Sequence, residues 1–439
     1  MAGALEQAAI SYGDGVRRPV ARVATGFEYY RVLDAIHNVN IRCMQRRSTI
    51  DLFLNIGHLL DHLVMLIFPT AVLAIGVAWH RPYDELLPLA LGGFIAFGAC
   101  SIPAGWLADR WSRVGMMRLF YFGIGVATIA TGFATTPTEL AIGLTAIGVF
   151  AAIYHPVGIA MLVANQPNLG RTLGVNGVFG NAGLAFAALL SGAVADFAGW
   201  RAAFFVPGAL ALAAGAGFVW SSRNPVVARG SARRSEAHLP RALLARVFLI
   251  VTVATACGGV IFNATTVSMP KVFDERLRAL TDSNFGIGML VCATYLIAAM
   301  AQLLVGWWLD QHSVKRVFVV VTALQVPLLF AAGSLSGYAM LAVAVAMMFF
   351  VFGQIPINDA MIARYTGEGW RARAYAVRYV VSFGASAAAV PLIASVHRYY
   401  GDFQPLFTIL ALLAALTLAA ALAFPGERRV ALEPRPIEP

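Results

Sequence analysis

The chain is 439 residues long, 59% hydrophobic and only 12% charged, where water-soluble domains carry roughly 25% charged residues. Apolar runs of twenty or so residues recur along it, each long enough to cross a bilayer, so the composition excludes a water-soluble protein and points to a polytopic membrane one. The net charge of +10 does not call for nucleic acid: all but two of the 32 cationic residues are arginine, and they gather in alternate loops, the distribution that membrane insertion imposes.

Residues 1–50 are polar and basic, with Arg17, Arg18, Arg22, Arg31, Arg42, Arg46 and Arg47. They read as a cytoplasmic tail, either disordered or holding a short amphipathic helix around 27–45 that lies on anionic lipid. They contain no apolar core segment, so no cleavable signal is expected. Twelve spans are predicted next, over 52–78, 85–108, 115–134, 138–163, 172–196, 201–221, 245–269, 284–309, 316–335, 338–362, 374–396 and 404–424. A polar loop at 222–244, with Arg223, Arg229, Arg233, Arg234 and Arg241, separates a six-helix bundle at 51–221 from a second at 245–424. Residues 425–439 form a short tail rich in Pro and Arg. With the N-terminus in the cytoplasm, only Arg81, Arg201, Lys271, Arg276, Arg278 and Arg398 fall on the far side, against 26 cations on the near side. That bias sets the expected orientation, with both termini in the cytoplasm. Cys43, Cys100, Cys257 and Cys292 are scattered and give neither a disulfide framework nor a metal spacing.

The turn between the second and third spans reads Gly105-Trp-Leu-Ala-Asp109-Arg110-Trp-Ser112-Arg113-Val114. A weaker copy, Gly306-Trp-Trp-Leu-Asp310-Gln-His-Ser313-Val-Lys315-Arg316, follows 201 residues later, so Gly105, Asp109 and Ser112 fall on Gly306, Asp310 and Ser313. Pro69 and Pro270 share that offset, while Arg171 with Arg373 and Gly199 with Gly401 are 202 apart. Matches in one register argue for an internal duplication. Parallel six-span halves around a central cavity are a recurrent transporter plan, with substrate near the membrane midplane.

The first turn resembles the signature of the major facilitator superfamily, Gly-x-Leu-Ala-Asp-Arg-x-Gly-Arg followed by Lys or Arg. Gly105, Leu107, Ala108, Asp109, Arg110 and Arg113 match; Ser112 replaces the second glycine and Val114 the final cation. Over residues 51–424 the resemblance implies an all-α membrane protein of twelve transmembrane helices in two pseudo-symmetric six-helix bundles, the major facilitator fold. It also implies that Gly105, Asp109, Arg110 and Arg113, with Asp310 in the second copy, act as a conformational gate that latches the halves in the outward-facing state. Tyr154-His-Pro156-Val-Gly158 in the fourth span and Gly180-Asn-Ala-Gly183 in the fifth are similar to bacterial drug-efflux members of the fosmidomycin-resistance type. The Gly-Pro step that many antiporters have in the fifth span is replaced by Ala187 and Ala188.

The first span carries Asn55, His58, Asp61 and His62, whose spacings of three and four place them on one helical face. A carboxylate in hydrocarbon is costly and functional by default, and an acid flanked by imidazoles is suited to hold and release a proton. The alternative is a structural hydrogen-bond cluster. Pro156 kinks the fourth span beside Tyr154 and His155, and the resemblance places the first and fourth spans on one cavity, so His155 joins the proton-coupling set. Gly174, Gly177, Gly180 and Gly183 form a strip read as helix packing, with Asn176 and Asn181 toward the cavity. In the second half Asn263, Thr266, Gln302, Gln354, Asn358 and Asp359 are polar within apolar runs; Asn263, Gln302, Gln354, Asn358, Asp359 and Arg378, with Asn55 and Tyr154 of the first half, are expected to line the substrate cavity. Arg378 either snorkels to the cytoplasmic surface or faces inward, to attract an anion or pair with Asp359. His58 and His62 with Asp61 are an incomplete metal set, and no metal is expected in a span without further Cys or Glu.

No phosphate-cradling Gly-x-x-x-x-Gly-Lys loop exists, which argues against an ATP-driven pump, and no nucleophile motif marks an enzyme. The expected protein is a monomeric secondary active transporter of the bacterial inner membrane. Its partners are a small organic substrate, amphipathic or anionic, protons and the lipid bilayer, with no cofactor and no nucleic acid. The narrower resemblance favours proton-coupled efflux. The alternatives are a proton symporter or facilitator importing an organic acid or sugar, and a non-transporting membrane sensor or assembly scaffold.

Overall fold

The computed structural model describes residues 48–164, 169–223, 241–365 and 368–425. The expected tail helix at 27–45, most of the loop at 222–244 and nearly all of the tail at 425–439 lie outside the described residues. Twelve helices long and apolar enough to span a membrane make up the described chain: α1 Ser48–Trp79, α2 Tyr83–Arg110, α3 Arg113–Gly132, α4 Pro137–Val163, α5 Thr172–Ala198, α6 Ala202–Ser221, α7 Leu244–Arg276, α8 Asn284–Gln311, α9 Val314–Ala332, α10 Gly337–Ile362, α11 Val380–Tyr400 and α12 Gln404–Ala423. α11 continues a helix that begins at Glu368. Large apolar side chains such as Val126, Phe197, Phe330 and Leu412 face outward, whereas Asp61, Asn176, Thr265, Gln325 and Gln354 are buried. That is the pattern of a bundle whose solvent is hydrocarbon.

Prolines decide where these helices deviate. Pro69 offers no amide to the carbonyl four residues back, and α1 tightens at Leu66, whose amide reaches both His62 O and Leu63 O. In α4 the same deficit at Pro156 opens a π-helical turn over Tyr154–Gly158. α7 runs on to Arg276, beyond the expected end at 269, with Pro270 inside it. α11 breaks at Ala388 and restarts as Ala389–Tyr400, which places Pro391 in a first turn that needs no amide donor.

The repeat has a local physical basis. Ser112 and Ser313 both cap the helix that follows, each accepting a hydrogen bond from the amide three residues on. Gly199 and Gly401 both close a helix at positive φ, 80° and 64°, where a side chain would be strained. Packing is duplicated too: α1 with α5, α2 with α4 and α3 with α6 are matched by α7 with α11, α8 with α10 and α9 with α12. The halves meet along two equivalent seams, α5 against α8 and α2 against α11.

Among the described residues, both seams are tight toward one face. Where α5 ends and α8 begins, a Cβ on Gly192 would stand 2.2 Å from the carbonyl oxygen of Asn284, and one on Gly288 would stand 2.4 Å from that of Ala188. Asp196 then receives hydrogen bonds from Asn284 Nδ2 and the Phe285 amide, both 2.7 Å. At the same face of the other seam, Arg398 Nε donates to Asp84 at 3.0 Å. Beside it Arg276 donates to Asp402 at 2.5 Å. Partial burial alone would raise the Asp402 carboxyl, but the Arg276 guanidinium and the amides of Phe403 and Gln404 outweigh it and hold the group below the usual range. Toward the charged turns, by contrast, a Cβ on Gly174 or Gly306 would meet nothing within 4 Å.

Gly288→Leu is expected to shift the population toward a state open at the now-closed face. Overpacking of about 1–3 kcal/mol corresponds to roughly 5- to 150-fold. Distances between spin labels at that end of α5 and α8 should lengthen; a wild-type distribution would refute the seam as the seal.

Candidate functional site

The polar face of α1 meets α4 and α5 inside the first half. Asp61 is fully buried, and neither of its carboxylate oxygens has a hydrogen-bond partner among the described residues. His155 Nδ1 lies 3.4 Å from Asp61 Oδ2. An ionised carboxylate so placed is costly, so the group must carry a proton or face a cation.

The imidazoles are held by a network that fixes their orientation. His58 Nδ1 lies 2.8 Å from the backbone carbonyl of Asn176. A carbonyl only accepts, so that nitrogen carries the hydrogen and Nε2 presents its lone pair. His62 Nε2, 3.1 Å away, donates to it. The side-chain amide of Asn176 donates to Asn55 Oδ1 at 2.9 Å and to the Tyr154 hydroxyl at 2.8 Å. Tyr154 in turn donates to the Leu54 carbonyl at 2.8 Å, and its ring stacks on His58 at 4.9 Å. The His58 ring occupies the space where a side chain at position 180 would begin, 2.6 Å from that Cβ, which explains the glycine there. Gly183 likewise lets α5 rest on the Leu59 carbonyl, whereas Gly174 packs on nothing within 4 Å.

The π-turn in α4 carries both Tyr154 and His155. Tyr154 goes into the network, while His155 stands edge-on to His58 and His62, with ring centres 5.3 and 5.5 Å away. Phe97 of α2 and Phe383 of α11 flank His155 at 5.6 and 5.3 Å, so the cluster reaches the seam with the second half. One ring nitrogen from each of His58, His62 and His155 lies within 4.8 Å of the others, making them a candidate metal-ligand set.

Other expected cavity residues are distributed over the two halves. Gln302 Nε2 faces Asn181 Oδ1 at 3.4 Å across the α5–α8 seam. Asn263 donates to the Ser386 carbonyl at 2.6 Å. Gln354 donates to the Ala254 carbonyl at 3.3 Å and accepts from Gln325 at 3.0 Å. Thr266 turns back onto its own helix, donating to the Phe262 carbonyl at 2.7 Å. Asn358 is buried, with Oδ1 lacking a hydrogen-bond partner among the described residues. Arg378, just before α11, donates to Asp359 of α10.

At the charged turn, Asp109 accepts from Arg113 Nη2 at 2.8 Å within its own turn, and both are well exposed. Arg110 lies over the Trp106 ring at 4.3 Å. Gly105 sits against Pro156, which a Cβ would approach to 3.2 Å. Asp310 is exposed. Sequence reasoning missed Gln325, Phe97, Phe383 and the clamps at the closed face. Asp84 and Asp196 look like ordinary span-end charges, and only the fold supplies their partners.

Against known proteins, the chain aligns over a stretch of 123 residues (27% of it) with a puromycin resistance protein of Streptomyces alboniger at 29% identity. It aligns over 127 residues (28% of it) with a D-galactonate transporter of Escherichia coli at 35% identity. These stretches span 24% and 27% of those relatives, about a quarter of their length. A crystal structure of a bacterial homologue of the human lysosomal transporter Spinster, inward-facing and unoccupied, superposes with a TM-score of 0.65 over 86% of this chain and 98% of that one, at 15% identity, which speaks for the fold alone. The family model of the Major Facilitator Superfamily matches residues 54–281 and 277–439, and with twelve spans in two equivalent halves the chain belongs to that superfamily.

Proposed function

We propose that this membrane transporter is a proton-coupled secondary transporter of the bacterial inner membrane, exporting a small organic solute, amphipathic or anionic. The observation that carries the reading is Asp61, buried in α1 without a hydrogen-bond donor among the described residues and 3.4 Å from His155. A group that must be neutral or face a cation makes proton loading and local structure interdependent. His58, His62 and His155 relay the proton between Asp61 and the central space.

The orientation follows from the cation bias: the charged turns face the cytoplasm. The arrangement held by Asp84–Arg398 and Asp196–Asn284 is then closed outside and open inside. In this state Asp109 pairs, among the described residues, only within its own turn. As the halves rock, Gly105, Asp109, Arg110 and Arg113, with Asp310 in the second copy, engage the opposing helices and close the cytoplasmic face. Solute entering from the cytoplasm meets polar groups from both halves: Asn181 and Gln302 at one seam, and Asn263, Gln354, Asn358, Asp359 and Arg378 in the second half. Asn55, Tyr154 and Asn176 act as the scaffold of the proton site, since their polar atoms serve one another and His58. An anionic group would compete with Asp359 for the Arg378 guanidinium.

Import of an organic acid by proton symport is the second reading. The stretch similar to a D-galactonate transporter favours it, as does Arg378; the stretch similar to a puromycin resistance protein favours export.

Asp61→Asn reconstituted in liposomes is expected to lose gradient-driven flux down to the level of empty liposomes while still exchanging labelled solute. Uphill transport in that variant would overturn the coupling role. With a dye reporting internal pH, the sign of the proton movement on adding solute separates export by exchange from symport. Asp109→Ala is expected to lower turnover by about 10-fold, on the scale of one coupling interaction, with solute binding retained; wild-type turnover would refute the gate.

A further inference from the structure

We infer that His58, His62 and His155 form a binding site for one divalent transition-metal ion of the zinc, nickel and cobalt class, with Asp61 as its charge-balancing outer partner. The inference uses the cluster just described but does not rest on proton coupling.

Spacing is the first argument. His58 Nε2 and His62 Nε2 stand 3.1 Å apart, and two nitrogens bound to one tetrahedral zinc at about 2.0–2.1 Å stand about 3.3 Å apart. The third imidazole, from α4, has a ring nitrogen within 4.8 Å of both. The three ring centres form a near-regular triangle with sides of 4.8, 5.3 and 5.5 Å. The ligand that α1 could not supply by itself thus comes from the π-turn.

The outer shell is the second argument. A ligating imidazole ordinarily donates its other N–H to a carbonyl or carboxylate, which sets the tautomer and aims the free nitrogen at the metal. His58 Nδ1 does this to the Asn176 carbonyl at 2.8 Å. His155 turns Nδ1 toward Asp61 Oδ2, 3.4 Å away. To ligate, His62 shifts its hydrogen from Nε2 to Nδ1, and the ring neither gains nor loses a proton.

The third argument is charge. Asp61 is fully buried and its oxygens receive no hydrogen bond among the described residues. A dication held by three neutral rings beside it supplies the positive charge that a buried carboxylate requires. Imidazole donors select zinc, nickel, cobalt or copper over magnesium and calcium. His62 and His155 keep some exposure, so a fourth position is left for water or a donor atom of the solute.

The test uses full-length protein without a histidine tag, stripped with EDTA and titrated in detergent with zinc or cobalt, with magnesium as the control. One zinc per chain should survive desalting and magnesium should not, and bound cobalt should show the visible absorption of a tetrahedral site. His58→Ala and His155→Ala should each weaken zinc binding by more than about 10-fold, and Asp61→Asn by about 10- to 100-fold, the usual effect of losing an outer-shell partner. His312→Ala, outside the cluster, should leave binding unchanged. Failure of the wild type to retain zinc, or equal retention by His58→Ala and His155→Ala, would overturn the site. If those variants aggregate on size exclusion, X-ray absorption of the zinc-loaded wild type decides: a shell with three imidazoles supports the site and a shell of oxygen ligands overturns it. No proton flux is read, so the two ideas fail separately. Protein that binds zinc yet moves no protons refutes only the coupling, and protein that moves protons yet binds no zinc refutes only the metal site.

Discussion

Pro156 has no amide hydrogen to give, so the carbonyl four residues earlier in α4 loses its helical partner and the backbone widens into a π-turn over Tyr154–Gly158. The centre of the first half depends on that local failure. It lets two adjacent residues serve different neighbours: Tyr154 closes the network of Asn55, Asn176 and the Leu54 carbonyl, and His155 turns toward Asp61 and the second half. The same proline rests against Gly105 of the charged turn, so the distortion that builds the cluster also touches the motif proposed as the gate.

The duplicated architecture gives the two halves the same contacts and different contents. α1 and α7 hold equivalent places, yet α1 carries Asn55, His58, Asp61 and His62 where α7 offers Asn263, Thr265 and Thr266. In the second half the Arg378–Asp359 pair lies toward one end and the Arg276–Asp402 pair at the other. In the proposed function, the histidine–aspartate cluster of the first half handles protons, and the amides and Arg378 of the second half meet the solute. The seams of α5 with α8 and α2 with α11 are where motion in either must be felt by its partner.

Span number and the duplicated register were legible in the sequence because they follow from apolar run length and from residues with strong local roles. Ser112 and Ser313 recur because both cap helices, and Gly199 and Gly401 recur because both need positive φ. The shared face of Asn55, His58, Asp61 and His62 followed from helical spacing alone. What the spacing could not carry was partnership across the fold. The Asp196–Asn284 and Asp84–Arg398 contacts join residues 88 and 314 positions apart, and each residue alone reads as a charge or amide at a span end. Asn176 looked like one more polar residue facing a cavity, whereas its backbone carbonyl sets the His58 tautomer. A main-chain acceptor has no signature in residue type.

That carbonyl belongs to α5, and the ring it orients belongs to α1. A hydrogen can leave Nδ1 of His58 only if α5 withdraws or another acceptor replaces it, and α5 is also the helix that forms one seam with the second half. The placement of a single hydrogen on an imidazole is therefore a gauge of the spacing between two helices. Chemical state and local packing share one coordinate, and vibrational or magnetic-resonance spectra of the His58 ring would follow the spacing of α1 and α5 from inside the first half.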